Sequence, residues 1–153
     1  MCGRDLQTRV YISHSNIMYV KFVSDGRRRR RGFEAELTVM EVKAKPAFNP
    51  YLVMVEVCAT KKDDGTTEVT RYEHTDVLED IYKKPKYITS PNYPSKYSKN
   101  TDCVWGITVQ RERLIKMTFL DDFHLQEAGY EHNSHYKLFV LHAVHMLYKQ
   151  RSI

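Results

Sequence analysis

The sequence has no long hydrophobic run and contains little glycine or proline. No apolar stretch reaches the roughly 18 residues that a membrane span requires, so no transmembrane helix is predicted. Six glycines and five prolines in 153 residues exclude a low-complexity linker. The segment Met1–Asp5 also lacks the apolar stretch of a secretory signal. The chain as written is therefore expected to remain in the cytosol.

Cysteine is scarce, and the number of cysteines is odd. Cys2, Cys58 and Cys103 can form one disulfide at most, which leaves one thiol alone or paired with another chain. No C-x-x-C pair supports a zinc ribbon or a thioredoxin-like redox site. No N-x-S/T glycosylation sequence is present, and no H-E-x-x-H zinc-protease sequence accompanies the histidines. An enzyme is not predicted.

Positive charge is concentrated in one place. The net charge is +5, and five consecutive arginines account for it: Arg27, Arg28, Arg29, Arg30 and Arg31. This pattern favours a local contact with a polyanion, because guanidinium groups pair in a bidentate manner with sulfate and carboxylate. The simplest interpretation is a solvated charged loop; the sharper hypothesis is a contact with a sulfated polysaccharide or an acidic protein, and a dibasic processing site is a third option. Nucleic acid is not predicted, since no basic stripe with interleaved aromatic residues is present.

Alternating hydrophobic residues predict strands in the first 43 residues. Met18, Val20 and Phe22 share one face of a strand, and the segment 33–39 alternates in the same way. A turn signal at Ser24-Asp25-Gly26 lies between them, so the two strands are predicted to form a hairpin.

The rest of the chain also favours β structure. Residues 44–84 are predicted as a connector in which Tyr51–Val57 and Glu68–Tyr72 form a small hairpin. Alternation returns at 105–109 and at 115–119, whereas the segment 136–148 fits a strand and a helix equally well. Several short strands without a convincing amphipathic helix indicate an all-β sandwich.

Two stretches resemble parts of the CUB domain family. Ser90-Pro91-Asn92-Tyr93-Pro94 with Tyr97, followed by Cys103-Val104-Trp105-Gly106-Ile107, resembles the opening of that domain. Segments 115–119 and 121–125 resemble its continuation. Tyr93 and Tyr97 are expected to supply amphipathic surface. The resemblance implies an extracellular antiparallel β-sandwich with jelly-roll-like topology.

The other match resembles the closing half of the same domain. It comprises Cys2-Gly3, segment 15–25 with its Ser24-Asp25 pair, and Gly32-Phe33-Glu34-Ala35. The order predicts a window across two tandem CUB domains, with incomplete halves of each. Residues 1–43 would be the C-terminal half of one domain, 44–84 a connector, 85–135 the N-terminal half of the next, and 136–153 a divergent tail. Alternatively, the halves pair within one molecule as a circularly permuted sandwich.

The resemblance also implies a disulfide and a calcium site. Cys58 and Cys103 would form the disulfide, and Cys2 would have its partner upstream of this chain. Family members hold Ca²⁺ with acidic side chains. Asp25 matches one of these positions, and Glu127 lies one residue beyond another, so the metal candidates are Asp25 and Glu127 and the site is incomplete.

The function implied by the resemblance is that of a non-catalytic binding or adhesion module within an extracellular multi-CUB protein. Tolloid-like, cubilin-like and neuropilin- or Neto-like proteins are the relatives expected. One alternative is the non-catalytic substrate-binding part of a tolloid-like metalloprotease. Others are a cytosolic basic interaction protein and a truncated, non-functional gene product.

Overall fold

A computed structural model describes residues 10–26, 31–41, 51–77, 85–120 and 137–142. These residues form strands and loops without a helix, and none of them forms a helix long and apolar enough to cross a membrane. The strands in chain order are β1 (Val10–Ile12), β2 (Ile17–Val23), β3 (Glu34–Glu41), β4 (Tyr51–Lys61), β5 (Thr67–Val77), β6 (Lys86–Thr89), β7 (Thr101–Val109), β8 (Arg113–Phe119) and β9 (Lys137–His142). The predicted all-β class is confirmed.

The described strands form two antiparallel sheets. The four-stranded sheet has the order β1-β8-β3-β6, and the five-stranded sheet has the order β5-β4-β7-β2-β9. Most neighbours in a sheet are distant in the chain, as in a jelly roll, and not successive strands of a meander. The predicted jelly-roll-like antiparallel sandwich is therefore confirmed.

Period-two alternation places one face of each central strand in the core. The burial of β7 and β8 alternates residue by residue, and β2 follows the same pattern. Met18, Phe22, Trp105 and Phe119 are all buried on strands, as the sequence predicts. Edge-to-face aromatic contacts join the sheets, since the ring centroids of Phe33 lie 5.7 Å from Trp105 and 5.6 Å from Phe119.

The hairpin predicted for the strands before and after Asp25 is wrong. β2 belongs to the five-stranded sheet and β3 to the four-stranded sheet, so the chain crosses the core between them. Each strand has one apolar face, and the two faces pack against each other instead of lying side by side. The ring centroids of Phe22 and Phe33 are 5.8 Å apart across this core.

The two stretches that resemble opposite ends of the family fold contribute to the same sandwich. β2 pairs with β7 over seven residues, and β3 pairs with β8 over another seven. Of the two arrangements left open by the sequence, the structure has the pairing within one molecule. The boundaries 1–43, 44–84, 85–135 and 136–153 stay a prediction about a longer parent protein.

The stretch predicted as a connector contains two long strands of the five-stranded sheet. β4 and β5 form the predicted hairpin around residues 62–66, and β4 pairs with β7 on its other side. In the tail, residues 137–142 are a strand that pairs with β2. The alternative of a helix does not apply to that segment.

Candidate binding end of the sandwich

Three connections meet at one end of the sandwich, which we call the loop end: residues 24–33 as far as they are described, 62–66 and 90–100. Backbone hydrogen bonds join them. The amide of Asn100 donates to the carbonyl of Asp25 at 3.0 Å, and the amide of Lys61 donates to the carbonyl of Asn100 at 3.0 Å. Loops of three different origins are thereby held in one surface, which is the usual arrangement of binding residues on a rigid sandwich.

Buried hydroxyl groups fix the position of the 90–100 loop. Ser24 donates its hydroxyl hydrogen to the carbonyl of Ser98 at 2.7 Å, and its oxygen accepts from the amide of Thr101 at 3.1 Å. The oxygen of Ser90 accepts from the amide of Phe33 at 3.0 Å. Because these bonds satisfy backbone groups that water cannot reach, the loop is held in one conformation.

Tyr97 anchors the same loop from the inside. Its side chain is fully buried, and its ring centroid lies 5.2 Å from that of Phe22 in an edge-to-face contact. The expectation that Tyr97 supplies surface is therefore wrong, because the loop folds over the end of the core and needs an aromatic residue to close it. Tyr93 is only partly exposed.

An open pocket of about 350 Å³ lies on the loop end. Its lining residues are Thr60, Lys61, Lys62, Asp63, Ser98 and Lys99. Three ammonium groups and one carboxylate surround it, so the pocket carries net positive charge. The pocket lies where the β4–β5 turn meets the 90–100 loop.

The lysines of the pocket differ in their partners. Lys62 forms an ion pair with Glu68 at 2.8 Å, and the hydrogen bond from Lys62, followed by its charge, lowers the pKa of Glu68. Among the described residues, no acidic side chain forms an ion pair with Lys61 or Lys99. Those two ammonium groups have the charge to bind an external anion.

The predicted polyanion-binding arginines fall partly outside the described residues. The structure does not describe four of them, Arg27, Arg28, Arg29 and Arg30. It does describe the flanking residues Gly26 and Arg31, and both belong to the loop end. Arg31 is exposed, and its Nε donates to the carbonyl of Pro94 at 3.4 Å. The role of the arginine tract in binding stays a prediction.

The calcium candidates are not brought together in the described part of the chain. Asp25 lies at the loop end, and Glu127 lies outside the described residues. No group of three or more His, Cys, Asp or Glu side chains in the described ranges could hold a metal ion. Calcium binding stays a prediction.

The predicted disulfide between Cys58 and Cys103 is confirmed. The two residues are direct partners of the β4–β7 ladder, with Cα atoms 4.1 Å apart. The bond lies close to the loop end, since β4 ends at Lys61 and β7 begins at Thr101. It therefore covalently joins the two strands whose ends carry the pocket.

Sequence reasoning identified the arginine tract but missed the lysines of the pocket. The sequence pattern around Lys61 and Lys62 predicts a turn, and the pattern around Lys99 predicts no site. Lys99 precedes β7 in the chain, and it lies beside Lys61 and Lys62 because β7 pairs with β4. The Lys61-Lys62-Asp63-Asp64-Gly65 turn with its mixed charges gave no sign of a binding site.

Comparison with known proteins supports the resemblance. Residues 78–137 match the family model described as the CUB domain. The match covers β6, β7 and β8 and extends to the first residue of β9. The predicted resemblance to the CUB family is thereby confirmed.

The relatives are much longer than this chain. Embryonic protein UVS.2 of Xenopus laevis is 32% identical over 74 residues, which are 48% of this chain and 14% of that protein. Cubilin of Canis lupus familiaris is 25% identical over 127 residues, which are 83% of this chain and 3% of cubilin. Zinc metalloproteinase nas-38 of Caenorhabditis elegans is 49% identical over 41 residues, which are 27% of this chain and 6% of that protein. No solved structure matches significantly.

Proposed function

We propose that this chain is an extracellular, non-catalytic binding module that recognises acidic or sulfated partners through the loop end. The proposal is carried by the pocket in which Lys61, Lys62 and Lys99 meet, on the same end of the sandwich as Arg31, the last residue of the arginine tract. The CUB match and the similarity to cubilin support a role as a module of a larger protein.

Charge and geometry agree with a polyanionic ligand. A sulfated polysaccharide presents closely spaced anionic groups along a chain, and a surface that carries both a lysine pocket and Arg31 can bind several of them at once. The binding would be strong at low ionic strength and would weaken as salt screens the charges.

A heparin-binding measurement tests the proposal. In the variant Lys61→Gln/Lys99→Gln, the affinity for immobilised heparin should fall about tenfold, equivalent to about 1.4 kcal/mol, because two cationic contacts are lost. Replacement of Arg27–Arg31 by serine should reduce it further.

Arg111→Gln provides the matched control. Arg111 is exposed in the β7–β8 turn, at the opposite end of the sandwich, and its replacement also removes one positive charge. If Arg111→Gln weakens heparin binding as much as either lysine substitution alone, the binding depends on net charge and the loop end is not a site.

The extracellular assignment has its own test. A disulfide between Cys58 and Cys103 persists in an oxidising compartment and is rare in the cytosol. Protein isolated from its native source under thiol-blocking conditions should contain this crosslink. Free thiols at both positions would favour the alternative of a cytosolic basic interaction protein.

The similarity to the zinc metalloproteinase supports the second candidate function. The match spans 6% of that protein, so the similarity concerns a small part of the enzyme. In that case the loop end would bind the substrate of a separate catalytic domain. Full-length transcript sequence that encodes a protease domain in the same chain would support this alternative.

A further inference from the structure

β5 is a long strand at the edge of the five-stranded sheet. All eleven of its residues, Thr67–Val77, pair with β4 on one side, and no described strand pairs with it on the other. Nearly all of its side chains are exposed, including Val69 at 63% and Tyr72 at 65%. Every second residue of such an edge directs its N–H and C=O groups away from the sheet, where another strand can bind them.

We propose that two copies of this chain associate through β5, with the two strands antiparallel and Tyr72 on the two-fold axis. Tyr72 is the central residue of the eleven, so this register pairs every residue of the strand with a residue of the second copy. An isologous contact of this kind closes after two copies, and each β5 edge is then covered by the other.

The charges of β5 are complementary to themselves in this register. Arg71 and Glu73 share one face and lie 3.6 Å apart within one strand, with both side chains well exposed. In the antiparallel pair, Arg71 lies opposite Glu73 of the second copy, and the symmetry repeats the contact. Two cross-strand pairs of opposite charge thus flank the axis. Charged side chains usually prevent association of edge strands, but here their order favours it.

The remaining pairs are compatible with this register. Val69 lies opposite Thr75, and Thr70 lies opposite His74. Glu68 lies opposite Asp76, a pair of like charge. Each of these carboxylates has its own cation, because Lys62 lies 2.8 Å from Glu68 and Lys86 lies 2.8 Å from Asp76. The repulsion between the two acids is therefore largely offset.

A charge-swap experiment tests the association. The full chain should sediment as a concentration-dependent mixture of monomer and dimer, because a contact between two strands is small. Arg71→Glu should abolish the dimer, since it places four carboxylates around the axis, and Glu73→Arg should do the same with four cations. The double variant Arg71→Glu/Glu73→Arg should restore it. Both positions are exposed, so far-UV circular dichroism should remain unchanged in all three variants.

Cysteine crosslinking tests the register. In a Cys2→Ser background, Tyr72→Cys should form an intermolecular disulfide under mild oxidation, because directly opposed residues have Cα atoms about 4.5–5.5 Å apart. Val69→Cys is the matched control with nearly equal exposure. Its position in the second copy is offset by six residues, which is about 20 Å, and it should not crosslink.

Three results would overturn the proposal. The chain could remain monomeric at the highest concentration that is soluble, the double charge swap could fail to restore a dimer, or Val69→Cys could crosslink as fast as Tyr72→Cys. Equal crosslinking of the two variants would mean that the disulfides form by random collision between molecules, or that the two β5 strands pair in another register.

Discussion

At the scale of single residues, Gly32 shows how the loop end depends on one missing methyl group. Its φ of +89° lies in the left-handed region, and a Cβ atom added there would lie 1.7 Å from the hydroxyl oxygen of Ser90. That oxygen accepts the hydrogen bond from the amide of Phe33. Gly32 is therefore required both by its conformation and by the close approach of the 90–100 loop.

We expect Gly32→Ala to reduce the free energy of unfolding by at least about 3 kcal/mol, as measured by urea denaturation. Backbone strain contributes about 1–2 kcal/mol, and displacement of Ser90 with loss of a buried hydrogen bond contributes the rest. Gly65→Ala is the control, since Gly65 has a φ of +85° but has no atom within 4 Å of the added Cβ. Equal losses in the two variants would show that the contact with Ser90 is unimportant.

Residue alternation predicted the core well but did not predict Tyr97. The burial of Met18, Phe22, Trp105 and Phe119 follows from period two, because each belongs to a strand with one apolar face. Tyr97 lies in the 90–100 loop, where the residues do not alternate between buried and exposed faces as they do in a strand. Its burial depends on the distant Phe22, and only the assembled sandwich brings the two together.

At the scale of elements, the sequence predicted strands reliably and their sheet membership poorly. Alternation shows that a strand buries one face, but it does not show which strand lies beside it and which lies across the core. For that reason the turn signal between β2 and β3 predicts a hairpin, although the two strands belong to different sheets. In contrast, β4 and β5 follow each other through a short turn with a glycine, where local geometry alone specifies the hairpin.

The disulfide is the element-scale feature with the largest expected effect on stability. Cys58→Ala/Cys103→Ala should lower the free energy of unfolding by about 2–4 kcal/mol, because the bond closes a loop with a sequence separation of 45 residues in the unfolded chain. Urea denaturation measures the difference. Reductant should lower the stability of the natural chain to that of the double variant and leave the variant itself unchanged. A double variant of full stability would contradict this expectation.

At the scale of the whole molecule, the two family-like halves are interleaved and not adjacent. Among the described strands, β1, β2 and β3 of the first half do not pair with one another, and β6, β7 and β8 of the second half pair neither with one another nor with β9 of the tail. β1 and β3 flank β8, and β2 lies between β7 and β9. The sequence predicted both halves from their resemblance to the family, but local patterns could not reveal that each half completes the sheets of the other.

This interleaving makes a strong prediction about fragments. In a polypeptide of residues 85–153, the four described strands have no hydrogen-bonded neighbour among themselves, so we expect it to form neither sheet and to show no cooperative unfolding and little dispersion of its amide NMR signals. Of the strand pairs that the structure describes, residues 1–84 retain the β4–β5 hairpin, which is marginal by itself. Mixing the two fragments should restore the two sheets, with protected amides in β2 and β7. If residues 85–153 fold alone into a stable, cooperative unit, the CUB-like second half builds its core without the first, and the single interleaved sandwich is wrong.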